Sequence, residues 1–184
     1  MKKKLITLGA VILALLSMFF LYLLTTRKPN TLPSQAIPNV SFKSLVPGES
    51  TEEDVIDLLG NPKIEGVDRD NGHLLEFDSD SSVYNNQITL DNGVVDIIKE
   101  IVTLKNPKYA DGIKRFYGEP KYVLYGSDSY AGFNLYVYAE SGVAYLGNPD
   151  SGLLLQIWYF PSTTYEMFKE KYASEYSETL EIRQ

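Results

Sequence analysis

One supersecondary unit is written twice along this chain, and that repetition narrows the fold more than any other feature. Val55-Ile56-Asp57-Leu58-Leu59-Gly60-Asn61-Pro62-Lys63 matches Ile113-Lys114-Arg115-Phe116-Tyr117-Gly118-Glu119-Pro120-Lys121 at an offset of 58 residues. Asn71-Gly72-His73-Leu74-Leu75-Glu76-Phe77 matches Ala131-Gly132-Phe133-Asn134-Leu135-Tyr136-Val137 at an offset of 60. Asp91-Asn92-Gly93 matches Asp150-Ser151-Gly152 at 59, and an apolar strand follows each. Three landmarks in one order at a nearly constant spacing point to a duplicated unit.

Each copy opens on a short helix. In the first, Thr51 is the natural N-cap, with Ser50 beside it, and three acids follow where the helix dipole favours negative charge. Ser50-x-x-Glu53 and Thr51-x-x-Asp54 both fit a reciprocal capping box. Val55, Leu58 and Leu59 give one apolar face, Gly60 suits the C-cap, and Pro62 forbids continuation. The second copy keeps the stop, Gly118-Glu119-Pro120, and loses the capped start, since Tyr109-Ala110-Asp111-Gly112 offers no equivalent of Ser50-Thr51. So short a helix needs a platform. The strands that follow supply it, with Asp-Asn-Gly and Asp-Ser-Gly as hairpin turns. Ser162-Thr163-Thr164-Tyr165-Glu166 opens a last helix, with Thr163-x-x-Glu166 as its box. Its stripe of Tyr165, Phe168, Tyr172 and Tyr176 suits core packing first and a partner second.

The N-terminus has another character. Leu5 to Leu24 is a run of 20 residues without a charge, preceded by Lys2, Lys3 and Lys4 and followed by Arg27 and Lys28. Its length matches a bilayer core, and the heavier positive charge lies on the amino-terminal side. The reading is an uncleaved signal anchor with a cytoplasmic N-terminus and an extracytoplasmic domain; a cleaved signal peptide is the competitor, but no small-x-small site ends the run. Pro29, Pro33 and Pro38 make an extended spacer of the next stretch.

The expected fold class is therefore α+β: an N-terminal transmembrane helix, then two tandem helix–antiparallel-sheet repeats with the helices on one face of the sheet, then a C-terminal helix. The divisions fall at 1–28 for the anchor, 29–44 for the Pro-rich linker, 45–104 and 105–161 for the repeats, and 162–184 for the last helix and tail.

The pattern Gly48-x-Ser50/Thr51-x-x-x-Val55-x-x-Leu58-Leu59-Gly60-x-Pro62, with Asp91-x-Gly93-Val94-Val95 downstream, resembles the SmpA/BamE-like domain of small envelope lipoproteins. In duplicate it is similar to the β-lactamase-inhibitor-protein fold. The resemblance covers about residues 45–160 and implies a binding or scaffolding module. Family lipoproteins carry a lipobox cysteine, and this chain has none. No inhibitory residue of that fold finds a matching motif here.

Composition removes several chemistries. With no cysteine and a single histidine, His73, thiolate metal sites, disulfides, thiol catalysis and His-rich metal sites are excluded. Residues 29–184 hold 12 Lys and Arg against 24 Asp and Glu, a formal charge of −12, which gives nucleic acid no footprint. Asp68-Arg69-Asp70-Asn71-Gly72 fails the calcium-loop template, because the glycine comes one place early and the twelfth position is Ser79. No phosphate loop, nucleophile elbow or zinc helix motif occurs. The expectation is a protein with no cofactor and no metal, and not an enzyme.

The compositional excess is tyrosine, 14 residues, most of them beyond Tyr109. Strand alternation suggests that Tyr136 and Tyr138 stand beside Gln156 and Trp158 on an uncovered sheet face, a candidate partner-binding surface. The functional expectation is a membrane-anchored extracytoplasmic protein-binding or scaffolding module of the bacterial envelope, held through residues 5–24, with a protein or peptide partner. The alternatives are a sensor or inhibitor domain capturing a secreted protein or peptide, and a carboxylate-dependent hydrolase.

Overall fold

A computed structural model describes residues 41–68, 72–81 and 83–180. The first described stretch forms a tight turn at Phe42–Leu45, whose backbones bond reciprocally, and enters helix α1, Glu52–Leu59. The box Thr51–Asp54 is formed: Thr51 N donates to Asp54 Oδ2 at 2.7 Å and Asp54 N to Thr51 Oγ1 at 3.3 Å. Gly60 ends α1 at φ +81°, ψ −165°, a conformation open to glycine. Strands β1 (Ile64–Val67), β2 (His73–Phe77), β3 (Asn86–Asp91) and β4 (Val94–Ile101) follow as an antiparallel meander. Asn92 and Gly93, at φ +51° and +80°, make the β3–β4 turn.

The second half runs through α2 (Ala110–Tyr117), β5 (Tyr122–Leu124), β6 (Asn134–Tyr138), β7 (Val143–Gly147) and β8 (Leu154–Tyr159). Tyr109 caps α2 without a side-chain hydrogen bond, while Gly118 ends it at φ +80°, ψ −164°, the geometry of Gly60. Helix α3 (Tyr165–Tyr172) follows, capped by Thr164, which accepts from Met167 N at 3.3 Å; the cap lies one residue beyond the expected Thr163, and beyond the helix Ser177 bridges to Tyr125.

All eight strands join in one antiparallel sheet in the order β1-β2-β3-β4-β8-β7-β6-β5. The two meanders meet at β4 and β8, where Ile98 faces Tyr159 and Lys99 faces Trp158. One face packs against α1 and α2. Val55 of α1 joins Leu75, Ile88, Val95 and Ile98. Ala110 of α2 joins Tyr138, Val143, Tyr145 and Ile157. The other face carries α3, whose Phe168 packs with Leu135, Val137, Leu146, Trp158 and Phe160. Tyr165 and Tyr172 pack against that cluster and Tyr176 is buried in it, so the aromatic stripe serves the core.

This corrects the expected fold class. The described residues form a single eight-stranded antiparallel sheet with three helices, not a transmembrane helix followed by tandem sheet repeats with helices on one face. The helices divide between the faces because β6, β7 and β8 are apolar on both sides, and a strand buried on both sides needs cover on both. Among the described residues no helix is long and apolar enough to cross a membrane. The expected anchor, residues 5–24, lies outside the described residues.

Candidate functional site

Tyr136, Tyr138, Gln156 and Trp158 do not share a face. Tyr136 pairs with Tyr145, and Tyr145 with Ile157, so the tyrosines point to the α2 side. There Tyr138 is buried and its hydroxyl donates to Gly118 O at 2.7 Å, while Tyr136 stacks on Tyr145 with ring centroids 4.9 Å apart. Gln156 and Trp158 point to the α3 side, where Trp158 Nε1 donates to Gln156 Oε1 at 2.8 Å and the indole packs edge-on to Tyr176. The reason lies in register. A side chain's face is set by which residue it pairs with, and one step reverses it. The tyrosines thus form packing around α2, and Trp158 forms packing under α3.

The α3-side face is covered over one half only. The two meanders have matching registers, so equivalent positions can be compared. In the first, Leu74 pairs with Thr89, Glu76 with Gln87, and Gln87 with Lys99. In the second, Leu135 pairs with Leu146, Val137 with Ala144, and Ala144 with Trp158. Glu76, Gln87, Thr89 and Lys99 thus stand where the second half has Val137, Ala144, Leu146 and Trp158. The apolar set lies under α3. The polar set lies beyond it.

The same irregularity recurs in both halves. Leu90 pairs with Val95 and Thr89 with Ile97, leaving Asp96 as the extra residue of a β-bulge. Gly147 pairs with Leu154 and Leu146 with Gln156, leaving Leu155 as its counterpart. A bulge shifts the alternation and re-aims one side chain. Here it turns Leu155 into the cluster under α3, and Asp96 towards the end of that helix.

Helix α3 therefore ends at the margin between the two halves. Lys171 Nζ donates to Asp96 Oδ1 at 2.7 Å, and Tyr172 Oη donates to the same oxygen at 2.8 Å. Burial first, and the bond to Asp96 second, hold the Tyr172 phenol well above its ordinary range. Beyond this latch lies an open groove of about 790 Å³. Leu74, Gln87, Thr89 and Lys99 contribute to its floor, and the end of α3 with Ser174 and Glu175 walls it. Thr89 Oγ1 donates to Asp68 Oδ2 at 3.1 Å, and the Lys99 ammonium lies 4.4 Å over the Trp158 ring. A second cavity of about 610 Å³, lined by Pro161, Thr163 and Met167, lies against the same Asp96, Lys171 and Tyr172.

Among the described residues no group of three or more acidic, histidine or cysteine side chains could hold a metal. The half-buried carboxylates Asp96 and Glu100, with side chains 13% and 15% exposed, point to opposite faces. Glu100 accepts from Tyr159 Oη at 2.7 Å and pairs with Lys108 at 2.6 Å, so each acid meets a lysine and a tyrosine.

Sequence reasoning missed the groove because the tyrosine excess drew attention to the second half. The signal was present. Gln87-Ile88-Thr89-Leu90 alternates polar and apolar, while Val143-Ala144-Tyr145-Leu146 does not.

No protein-family model matches the sequence, and no curated protein does. Among solved structures, the chain is similar to a DUF4309 family protein (YjgB) from Bacillus subtilis subsp. subtilis str. 168. That likeness has 14% sequence identity and a TM-score of 0.46, and it covers 64% of this chain and 82% of that one.

Proposed function

We propose that this chain is a non-catalytic binding or scaffolding module that receives a segment of a partner protein on the open half of its sheet. The observation that carries the reading is the groove of about 790 Å³ over a polar half-face whose counterpart is sealed by α3. Concave surfaces with convergent polar groups are the usual places for ligands. The resemblance to SmpA/BamE-like domains supports a binding role.

Peptides selected from a random displayed library against the full chain test this. Groove binders should be lost on Gln87→Trp, which fills the floor, and retained on Arg115→Trp, on the exposed side of α2. Circular dichroism checks that both variants fold. Equal binding to both variants, or no enriched peptide, sinks the reading.

The placement outside the cytoplasm rests on the sequence of residues 1–28. Since the chain has no cysteine, Arg115→Cys gives a unique thiol. Labelling by a membrane-impermeant maleimide in intact cells is expected; labelling only after lysis would refute the placement.

A further inference from the structure

The groove has a sign. Among the described residues Asp68, Asp91, Asp96 and Glu175 line it, against Lys99, Lys171 and the single histidine, His73. Both lysines are engaged, Lys99 over the Trp158 ring and Lys171 on Asp96. Residues 29–184 as a whole carry a formal charge of −12. Charge of that size repels a second copy of the chain and any acidic segment, and favours a cationic one. Asp96 occupies the bulged position, so its carboxylate stands at the groove margin rather than in the regular alternation. Lys171 lies 2.7 Å from Asp96 Oδ1 and 4.0 Å from Asp91 Oδ2, with half of its side chain exposed. The Lys171 side chain is half-exposed and flexible, so its ammonium can return to water when another cation takes its place on Asp96.

Building on the binding role argued above, we propose that the groove takes a lysine- or arginine-bearing segment of a partner protein, with Asp96 receiving the cationic head and Lys171 as the chain's own stand-in, displaced on binding. The exchange keeps Asp96 paired throughout, so its carboxylate is never left half-buried without a counter-charge. An arginine has the further advantage of a planar fork that spans both oxygens of a carboxylate. The half-buried Gln87 on the floor offers its side-chain amide to the backbone of an extended segment, which needs hydrogen-bonding partners along its length.

The test uses the full chain and a fluorescein-labelled ten-residue peptide of alternating lysine and serine, with a glutamine-for-lysine peptide as the control. The lysine peptide should bind more tightly than the control, and more weakly as salt rises. Lys171→Met removes the competitor and should tighten binding by about threefold to tenfold, as expected when one competing cation is lost. Asp96→Asn should weaken it about tenfold, while the amide still accepts from Tyr172. Circular dichroism confirms that both variants are folded, and the two variants act in opposite directions, which a merely destabilised groove would not do. If Lys171→Met leaves binding unchanged or weaker, the stand-in role is wrong. If the glutamine peptide binds as well as the lysine peptide, or library peptides enter the groove without basic residues, the cationic preference fails and the binding role survives. If no peptide binds in the groove at all, both fail.

Discussion

Two halves of one sheet face, built on the same register, have opposite surroundings. Leu135, Val137, Ala144, Leu146, Leu155 and Trp158 form an apolar platform that α3 covers. Leu74, Glu76, Gln87, Thr89, Asp96 and Lys99 occupy the equivalent places beyond the helix, most of them half-buried and Thr89 buried; at one further pair the contrast reverses, with Ile97 standing where the second half has Gln156. The backbone does not distinguish them. What differs is the cost of cover: a helix laid on Glu76 and Lys99 would have to take charged groups out of water, whereas one laid on Val137 and Trp158 removes apolar surface from water. Even the bulge obeys this division, with Leu155 packed in one half and Asp96 bonded to a lysine and a tyrosine in the other.

The comparison can be broken most severely at its covered end. Phe168, fully buried on α3 among Trp158, Phe160 and Tyr172, should cost about 3–5 kcal/mol on replacement by Ala, read as a drop in the urea midpoint. Imposing the open half's residue on the covered half, Leu146→Thr, should cost about 3 kcal/mol through the cavity and the buried hydroxyl. The reverse exchange, Thr89→Val, should cost under about 1 kcal/mol by the same urea measurement, since it loses mainly one hydrogen bond to Asp68. If the two exchanges cost the same, the halves are not physically distinct.

Where the halves agree, substitutions should agree too. Gly60→Ala and Gly118→Ala meet no side chain or backbone within 4 Å, so each should cost only the strain of its shared conformation, about 1–3 kcal/mol. A difference between them of more than about 1 kcal/mol in thermal unfolding would show that the two helix stops are not equivalent.

The helix starts differ, and smaller effects follow. Thr51→Ala should cost about 1 kcal/mol, and Tyr109→Thr, which supplies a cap that α2 lacks, should stabilise by a few tenths to about 1 kcal/mol. The smallest effect is on pH. Hydrogen bonds from the Thr51 backbone first, and its hydroxyl second, hold the Asp54 carboxyl below its ordinary range. A depressed carboxyl contributes stability that is present above its unfolded value and lost as pH falls through the folded one. Acid titration followed by circular dichroism should therefore show a shallow loss in the acid range that Asp54→Asn removes.

How much could be read in advance varied with the range of the interaction. The Thr51–Asp54 box, the glycine stops, the Asn92-Gly93 turn and the core role of Phe168 were legible because each depends on neighbours a few residues away. The cap of α3 fell one residue late, since Thr163 and Thr164 are both competent and packing chose between them. The proposed grouping of Tyr136 and Tyr138 with Gln156 and Trp158 failed because those strands are not neighbours. β7 lies between β6 and β8, and its pairing decides the face.

By itself, then, the sequence determined the capped start of α1, the glycine stops of α1 and α2, where hairpins turn, and that one unit is used twice, since capping and turn chemistry act within a few residues. Only the tertiary structure decided that eight strands share one sheet, that α3 crosses to the face opposite α1 and α2, and that Asp96 and Lys171 meet over a groove. Those outcomes depend on strand pairing and on two bulges, and in a structure of period two a single-residue shift exchanges inside for outside.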